Sequence, residues 1–408
     1  MPPMVLHVTS AYNDCMAMIW VKKHMWFRWI RNFSPRSLLL LYVLLVIVVN
    51  EYLVFWVQSW RWPSLPDHSR NPEEELVILL ASDPQLIGIQ DEHGFPLGSI
   101  TRWDSDRFLS KTFALAYNYL QPDVVVFLGD LMDEGSKATQ EEYKSYVERF
   151  HSVFYLMKGS KVIYVPGDND IGGEGGDVRT PGKIRRFESH FENTTGVVKV
   201  HFLDFIKLNW QVYHSSPVQM KSIIKGMVQQ MTSPIRIVLN HEPVIVQMKN
   251  MVYPVRGNCQ SCLYIALVLW IIVLKMAQPS LLFVGHWHAS QLYTCDTCLS
   301  SNEDSSHWPV HVQDLQQFKG FVTVDFTNLI SVHEVMIPTC SYRMGTSSMG
   351  YGVAFIKKSG SMKYGVLWLP SRYYQLYAYL AALGALPFIA CLLEVVIFLR
   401  SFSRQRWT

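Results

Sequence analysis

The sequence predicts an α/β fold, with sheets buried on both faces by helices, held between two membrane-spanning helices. Three observations carry this: five short apolar strands that each end in an abrupt polar turn, helical stretches between them, and two long, nearly uncharged segments toward the ends. The 408 residues carry a formal net charge of +3, with 49% hydrophobic and 17% charged side chains, which excludes a disordered chain and sets some apolar sequence against lipid. No Lys/Arg block is large enough to follow a phosphate backbone, so nucleic acid is excluded as a partner.

The first long segment is the 24 residues between Arg36 and Arg61, whose only charge is Glu51. The second is the 27 residues between Arg372 and Arg400, whose only charge is Glu394. A bilayer crossing needs about 20 residues, so spans are expected over 38–58 and 373–399. Lys22, Lys23, Arg28, Arg31 and Arg36 precede the first span, and Arg400, Arg404 and Arg406 follow the second. The excess of cations places the tails 1–37 and 400–408 in the cytoplasm and the domain 59–372 in the lumen. The first span begins late and lacks a small-residue cleavage pattern, so it reads as a retained signal anchor.

A third apolar run, Leu263 to Leu274, has 12 residues and is expected to be a core helix. Residues 299–320 are polar and weakly patterned and read as a surface loop. Asn193-Thr194-Thr195 is a glycosylation acceptor that a lumenal loop would use. Cys15 falls in the cytoplasmic tail and Cys391 in the second span, leaving Cys259, Cys262, Cys295, Cys298 and Cys340 in the lumen. The two Cys-x-x-Cys pairs stand 33 positions apart, longer than the usual zinc-ribbon interval, and the lumen oxidises thiols, so disulfides are favoured over structural zinc, with their connectivity open.

Within the domain, Leu76 to Leu80 runs into Ser82-Asp83-Pro84-Gln85, and Val124 to Leu128 into Gly129-Asp130-Leu131-Met132-Asp133. Lys161 to Val165 leads to Gly167-Asp168-Asn169-Asp170, Ile235 to Leu239 to His241, and Leu281 to Val284 to Gly285-His286-Trp287-His288. In α/β folds ligands collect outside the carboxyl ends of strands. A lone Asp after a strand is usually a helix cap, and a lone His a satisfied surface residue; five such endings in order are not explained that way. Gly129, Gly167 and Gly285 stand where the backbone has to turn sharply beside the polar residue.

Asp83, Asp130 and Asp168 gathered without cations would repel one another and some would protonate. Divalent metal removes that conflict, and mixed carboxylate and imidazole donors suit Mn, Fe or Zn better than Ca. Two ions ~3.5–4 Å apart can share one carboxylate.

The ordered set Asp-x-Gln, Gly-Asp-x-x-Asp, Gly-Asp-Asn-Asp, His, Gly-His-x-His over 76–290 resembles the calcineurin-like metallophosphoesterase superfamily. Asp-Pro-Gln-Leu-Ile-Gly, Phe-Leu-Gly-Asp-Leu-Met-Asp-Glu-Gly and Ile337-Pro338-Thr339-Cys340-Ser341-Tyr342-Arg343 look closest to its metallophosphoesterase 1 group. That group contains phosphodiesterases of the ER and early Golgi that trim ethanolamine phosphate from GPI anchors. The resemblance implies a four-layer α/β/β/α sandwich and two divalent ions, with Mn first and Zn or Fe as alternatives. It implies that Asp130 bridges the ions, with Asp83, Gln85 and His288 on the first and Asp168, His241 and His286 on the second. Gln85 stands in place of a histidine and Asp168 in place of an asparagine.

The substrate implied is a GPI-anchored protein or GPI glycolipid in the ER or early Golgi membrane, with release supporting ER-to-Golgi transport of GPI-anchored cargo. Asn169 replaces a histidine that contacts phosphate and protonates the leaving oxygen, and an amide delivers no proton at neutral pH. His214, His93 or water on the first metal is expected to supply that proton, while Asp133 and Asp170 orient neighbours. The rival expectation from the same residue is a metal-containing, catalytically impaired binder of GPI glycan or GPI-anchored cargo.

Overall fold

The computed structural model describes residues 34–67, 71–156, 159–173, 176–208, 217–245, 270–300, 309–328 and 330–405. The chain divides into two units, residues 1–54 with 373–408, and residues 55–372.

In the first unit the helix Pro35–Val48 starts at Ser34, whose hydroxyl accepts from the Ser37 amide at 3.2 Å, and continues through a π-helical turn, Val49–Leu53. The second helix, Arg372–Gln405, contains Pro387. Two helical stretches, Arg36–Ser59 and Arg372–Leu399, are long and apolar enough to cross a membrane. The Tyr379 hydroxyl donates to Glu51 at 2.8 Å and that of Tyr42 to the Ala382 carbonyl at 3.1 Å, so polar groups in these apolar helices have partners.

The second unit holds two sheets. Its strands are β1 (Glu75–Ala81), β2 (Val124–Leu128), β3 (Lys161–Val165), β4 (Gly196–Val200), β5 (Leu203–Lys207), β6 (Ile235–Leu239) and β7 (Leu281–Val284). They continue with β8 (Gln291–Cys295), β9 (Val310–Asp314), β10 (Phe321–Asp325), β11 (Val332–Met336), β12 (Gly350–Lys357) and β13 (Ser361–Trp368). One sheet runs β10-β13-β12-β1-β2-β3 and the other β4-β5-β6-β7-β11-β8-β9. β1, β2 and β3 are parallel, with Ile78 opposite Val124 and Val124 opposite Lys161, so the turns after them leave by one edge. β6 and β7 are likewise parallel, Ile237 opposite Leu281.

β1 shows why two layers of cover are needed. Its alternate residues Val77, Leu79 and Ala81 pack on Phe108, Leu109 and Phe113 of the helix Leu97–Leu120 and on Phe150 of the helix Gln140–Val153. Leu76, Ile78 and Leu80 point the other way, onto Phe205, Ile237 and Phe283 of the second sheet. The far face of that sheet, with Val238, Leu282 and Val284, is covered by Met220 and Ile224 of the helix Pro217–Val228 and by Trp270, Val273 and Leu274. The result is a mixed sandwich of helix, sheet, sheet and helix. Helices thus cover only the outer face of each sheet, because an apolar strand face demands cover without specifying what provides it. The helix Gln140–Val153 opens with a capping box in which Thr139 and Glu142 exchange side-chain and backbone hydrogen bonds, worth about 1 kcal/mol.

Residues 270–274 of the third apolar run are helical, with Trp270, Val273 and Leu274 buried as on a core helix; 263–269 lie outside the described residues. The stretch 299–320 is not all loop, since β9 pairs there with β8 at the sheet edge, and its 301–308 lie outside the described residues. Ladder hydrogen bonds on an exposed edge need no apolar pattern to guide them. Cys295 and Cys298 form a disulfide, and Cys340 is a buried free thiol. Cys259 and Cys262 lie outside the described residues. Asn193 is exposed in the turn before β4.

Candidate metal centre

The turns that follow β1, β2, β3, β6 and β7 meet at one edge of the sandwich. Five of the residues they carry have left-handed backbone: Asp83 (φ 49°), Gln85 (41°), Asp130 (50°), His286 (69°) and His288 (56°). Non-glycine residues hold that conformation only where the surroundings impose it. Here the Asp83 amide donates to the Gly129 carbonyl at 3.3 Å, the Gln85 amide to the Asp130 carbonyl at 2.9 Å, and Thr339 Oγ1 to the Asp83 carbonyl at 2.8 Å. Two glycines make room. A Cβ on Gly129, itself at φ +88°, would lie 2.4 Å from His241 Nδ1, and one on Gly167 would lie 2.1 Å from Asp130 Oδ1.

His241 Nδ1 donates to the Leu128 carbonyl at 2.8 Å, which turns Nε2 into the cluster. There Nε2 is 3.2 Å from Asp168 Oδ1, 3.5 Å from Asp130 Oδ1 and 3.9 Å from Asp83 Oδ1. His286 Nδ1 is 3.2 Å from His241 Nε2 and 3.7 Å from Asp168 Oδ1, and His288 Nε2 is 3.4 Å from Asp83 Oδ1. Asp83 also accepts from the Ser82 hydroxyl and, at 3.2 Å, from the His286 amide.

The electrostatics show what is missing. Asp83, Asp130 and Asp168 are buried, and Asp83 Oδ1 and Asp168 Oδ1 have no hydrogen-bond partner. Burial raises the Asp130 carboxyl, and the neighbouring Asp168 and Asp83 add to it against the pull of His241. Burial acts the same way on Asp83, but there His288 and His241 outweigh it and hold the carboxyl low. His241 is the counterpart: burial opposes its charge, yet Asp130, Asp168 and Asp83 raise its pKa well above the usual imidazole value. Burial opposes the charge of His288 as well, but the Asp83 carboxylate 3.4 Å away raises its pKa. Both shifts favour the charged imidazole, the same compensation of buried negative charge that cations would supply more completely. Ligand atoms of Asp83, Asp130 and His241, and of Asp168, His241 and His286, lie within 4.8 Å of one another, two groups that share one imidazole. Orphaned buried oxygens and an imidazole turned by its own backbone bond fit a pair of divalent ions.

Residues 76–290 match the family model described as calcineurin-like phosphoesterase. The chain belongs to the calcineurin-like phosphoesterase family. It is 29% identical over 167 residues to a metallophosphoesterase 1 homolog of Drosophila melanogaster, covering 40% of this chain and 43% of that one. It is 30% identical over 174 residues to metallophosphoesterase 1 of Danio rerio, covering 41% and 43%. The chain therefore spans less than half the length of these relatives. A crystal structure of a dimetal phosphatase from Danio rerio aligns over 71% of this chain and 98% of its own, with 9% identity and a TM-score of 0.39, too loose a likeness to carry an argument.

Against that family background the remaining residues fall into place one by one. Gln85 Nε2 donates to Asp130 Oδ2 at 3.1 Å, so its amide reaches the cluster through Asp130. Asn169 donates twice to Asp130, from its backbone to Oδ1 at 3.0 Å and from Nδ2 to Oδ2 at 3.1 Å. Asp170 accepts from the amides of Leu131 (3.1 Å), Met132 (3.0 Å) and Gly167 (2.8 Å), so it ties the Asp130 turn to the Asp168 turn and is a positioning residue. Burial and then the Asp130 charge push its carboxyl up to about 7 against those three amides. Asp133 is pushed up to about 6 by burial and by Glu134. His93 is exposed on the loop after Ile87, and His214 lies outside the described residues.

Two neighbours escape sequence reasoning. Arg179 Nη2 stands 3.9 Å from Glu242 Oε1, and both side chains are largely buried beside the His241 turn. Glu242 directly follows a predicted ligand and so carried a signal; Arg179 sits in a patternless glycine-containing run and carried none. Thr339 and Cys340 explain the 337–343 segment, since the Cys340 amide donates to the Ser82 carbonyl at 3.0 Å and, with Thr339 Oγ1 on the Asp83 carbonyl, secures the Asp83 turn.

Proposed function

We propose that the chain is a membrane-anchored, metal-dependent phosphoric ester hydrolase whose substrate is the ethanolamine-phosphate diester of a GPI glycan. The observation that carries the hydrolase reading is the convergence of three buried carboxylates and three imidazoles at strand ends, with two carboxylate oxygens unpartnered. Asp83, Gln85, Asp130 and His288 would hold one ion, and Asp130, Asp168, His241 and His286 the other. When bound, such ions neutralise phosphoryl charge and lower the pKa of water. The chain contributes the rest. The Leu128 carbonyl fixes the His241 tautomer, and Asp170 keeps the Asp130 and Asp168 turns in register. Asn169 holds Asp130 with two hydrogen bonds and can donate a hydrogen bond to an incoming phosphate, but it transfers no proton.

Membrane anchoring is supported by what covers the two apolar stretches: only 17% and 0% of their apolar windows are buried, whereas a core helix would be covered. The basic flanks favour a lumenal catalytic domain, and exposed Asn193 is then available for glycosylation. The relatives named metallophosphoesterase 1 support the choice of substrate group. The test is turnover of an aryl phosphodiester and of a GPI-glycan ethanolamine-phosphate diester by the purified full chain loaded with Mn. Hydrolysis of both is expected; hydrolysis of neither removes the reading.

Asn169 also favours a second reading, a metal-loaded binder of GPI glycan or GPI-anchored cargo, because its amide holds Asp130 and can bind phosphate without delivering a proton. Glycan binding without turnover would select it.

A further inference from the structure

We infer that the loop 88–96 and the first turns of the helix Leu97–Leu120 form a face that docks on the headgroup region of the bilayer, bringing the metal centre to lipid-borne phosphoesters. This rests on the membrane reading above. Leu97, Ile100, Trp103, Arg107 and Lys111 recur at spacings of three and four, so they form one stripe along the helix, opposite the core-facing Leu109 and Phe113. Large apolar groups on this stripe and the adjoining loop are exposed: Phe95 91%, Leu97 62%, Ile100 56%, Trp103 60%. A water-facing surface gains nothing from such a run.

What covers it is indicated by the two residues at which the apolar helices join this unit. Phe55, inside the apolar stretch Arg36–Ser59, packs its ring 5.9 Å from Phe108, with Lys111 Nζ 4.6 Å above it. Arg372, where the second apolar stretch begins, donates from Nε to Asp104 Oδ2 at 3.1 Å and also from Nη2 to Oδ1. Asp104, Phe108 and Lys111 occupy two turns of the same helix, so both junctions lie against it, next to Ile100 and Trp103. The chemistry suits a headgroup layer: Trp103 carries the Arg107 guanidinium 5.3 Å from its ring centroid, a pairing of aromatic and cation that lipid phosphates and the acyl boundary both accept.

The face is also fastened to the metal centre. The amides of Ile89, Gln90 and Asp91 all donate to the Glu134 carboxylate at 2.7–2.9 Å, and the Asp133 amide donates to the Leu86 carbonyl at 3.0 Å. The docking loop therefore starts three residues after Gln85 and is tied to the segment that carries Asp130.

The test uses the full chain reconstituted in phosphatidylcholine vesicles with brominated acyl chains, comparing the native protein with Trp103→Phe, which keeps the surface apolar. The fluorescence lost in the variant is expected to be the part quenched by bromine and shielded from aqueous acrylamide. A Trp103 component that acrylamide quenches and brominated lipid does not would overturn the docking face. In the same vesicles, Ile100→Glu with Trp103→Glu should lower turnover of an acyl-chain-bearing aryl phosphodiester by about tenfold or more, since surface confinement sets the effective concentration. Turnover of a soluble aryl phosphodiester should be unchanged; equal rates of native and variant protein on the lipid-borne ester contradict the inference. Failure of the native chain to hydrolyse either ester would count against the hydrolase reading, and its release by alkaline carbonate against the membrane reading, while the quenching comparison judges the docking face independently.

Discussion

The two halves of the metal centre are built differently. Asp83, Asp130 and Asp168, after β1, β2 and β3, are buried and held by backbone amides, close glycines and one another's turns. Of the imidazoles after β6 and β7, His241 is equally buried, but His286 and His288 are 32% and 27% exposed. The carboxylate half is preorganised to concentrate charge, whereas the imidazole half opens to the surface through His286 and His288. Buried negative charge that the fold cannot neutralise by itself is the feature that calls for cations.

The largest effect that sharpens this contrast is expected on the carboxylate side. Asp83→Ala leaves His288 and the Ser82 hydroxyl without their partner and should weaken metal binding by about 3–5 kcal/mol, measured by titration calorimetry of the full chain. Asn169→His should raise phosphodiester turnover by ~10²- to 10⁴-fold if a missing proton donor limits the rate; an unchanged rate with tight glycan binding would support the binder. Asp170→Asn changes no ligand but disturbs three backbone bonds, and a loss of about 10- to 100-fold in metal affinity is expected. His288→Ala, on the open half, should fall at the low end of that range, near about tenfold; a loss matching that of Asp83→Ala would erase the distinction between the halves.

The pH dependence has a definite sign. His241 and His288 have raised pKa values in the metal-free protein, so below them a proton has to leave before an ion binds. Metal affinity should therefore keep climbing as pH rises past the ordinary imidazole value of about 6.5, with proton release visible as a dependence of the calorimetric heat on buffer ionisation. A flat affinity would mean that the imidazoles do not take part.

Much of this was legible because apolar runs ended at Gly, Pro or a ligand-type residue. The bounds read for β2, β3, β6 and β7 coincide with those in the structure, and β1 gains one residue at each end. The division of these five strands between two sheets was not legible in the residue pattern itself, since uninterrupted apolar runs state that both faces are covered and not by what; only the family resemblance implied a two-sheet sandwich. β9, exposed and polar, gave no signal for the same reason that it needs none. At the site, the strand-end residues Asp83, Asp130, Asp168, His241, His286 and His288 come together as a group. Arg179 was invisible, because a side chain that reaches the site from an irregular loop leaves no periodic trace.

The most direct measurement is the number of ions per chain, by anomalous scattering or elemental analysis, in the native protein and in Asp130→Asn. Two ions in the native chain and none in the variant are predicted, since Asp130 is the carboxylate assigned to both. Two ions retained in the variant, or none in either protein, would contradict the account.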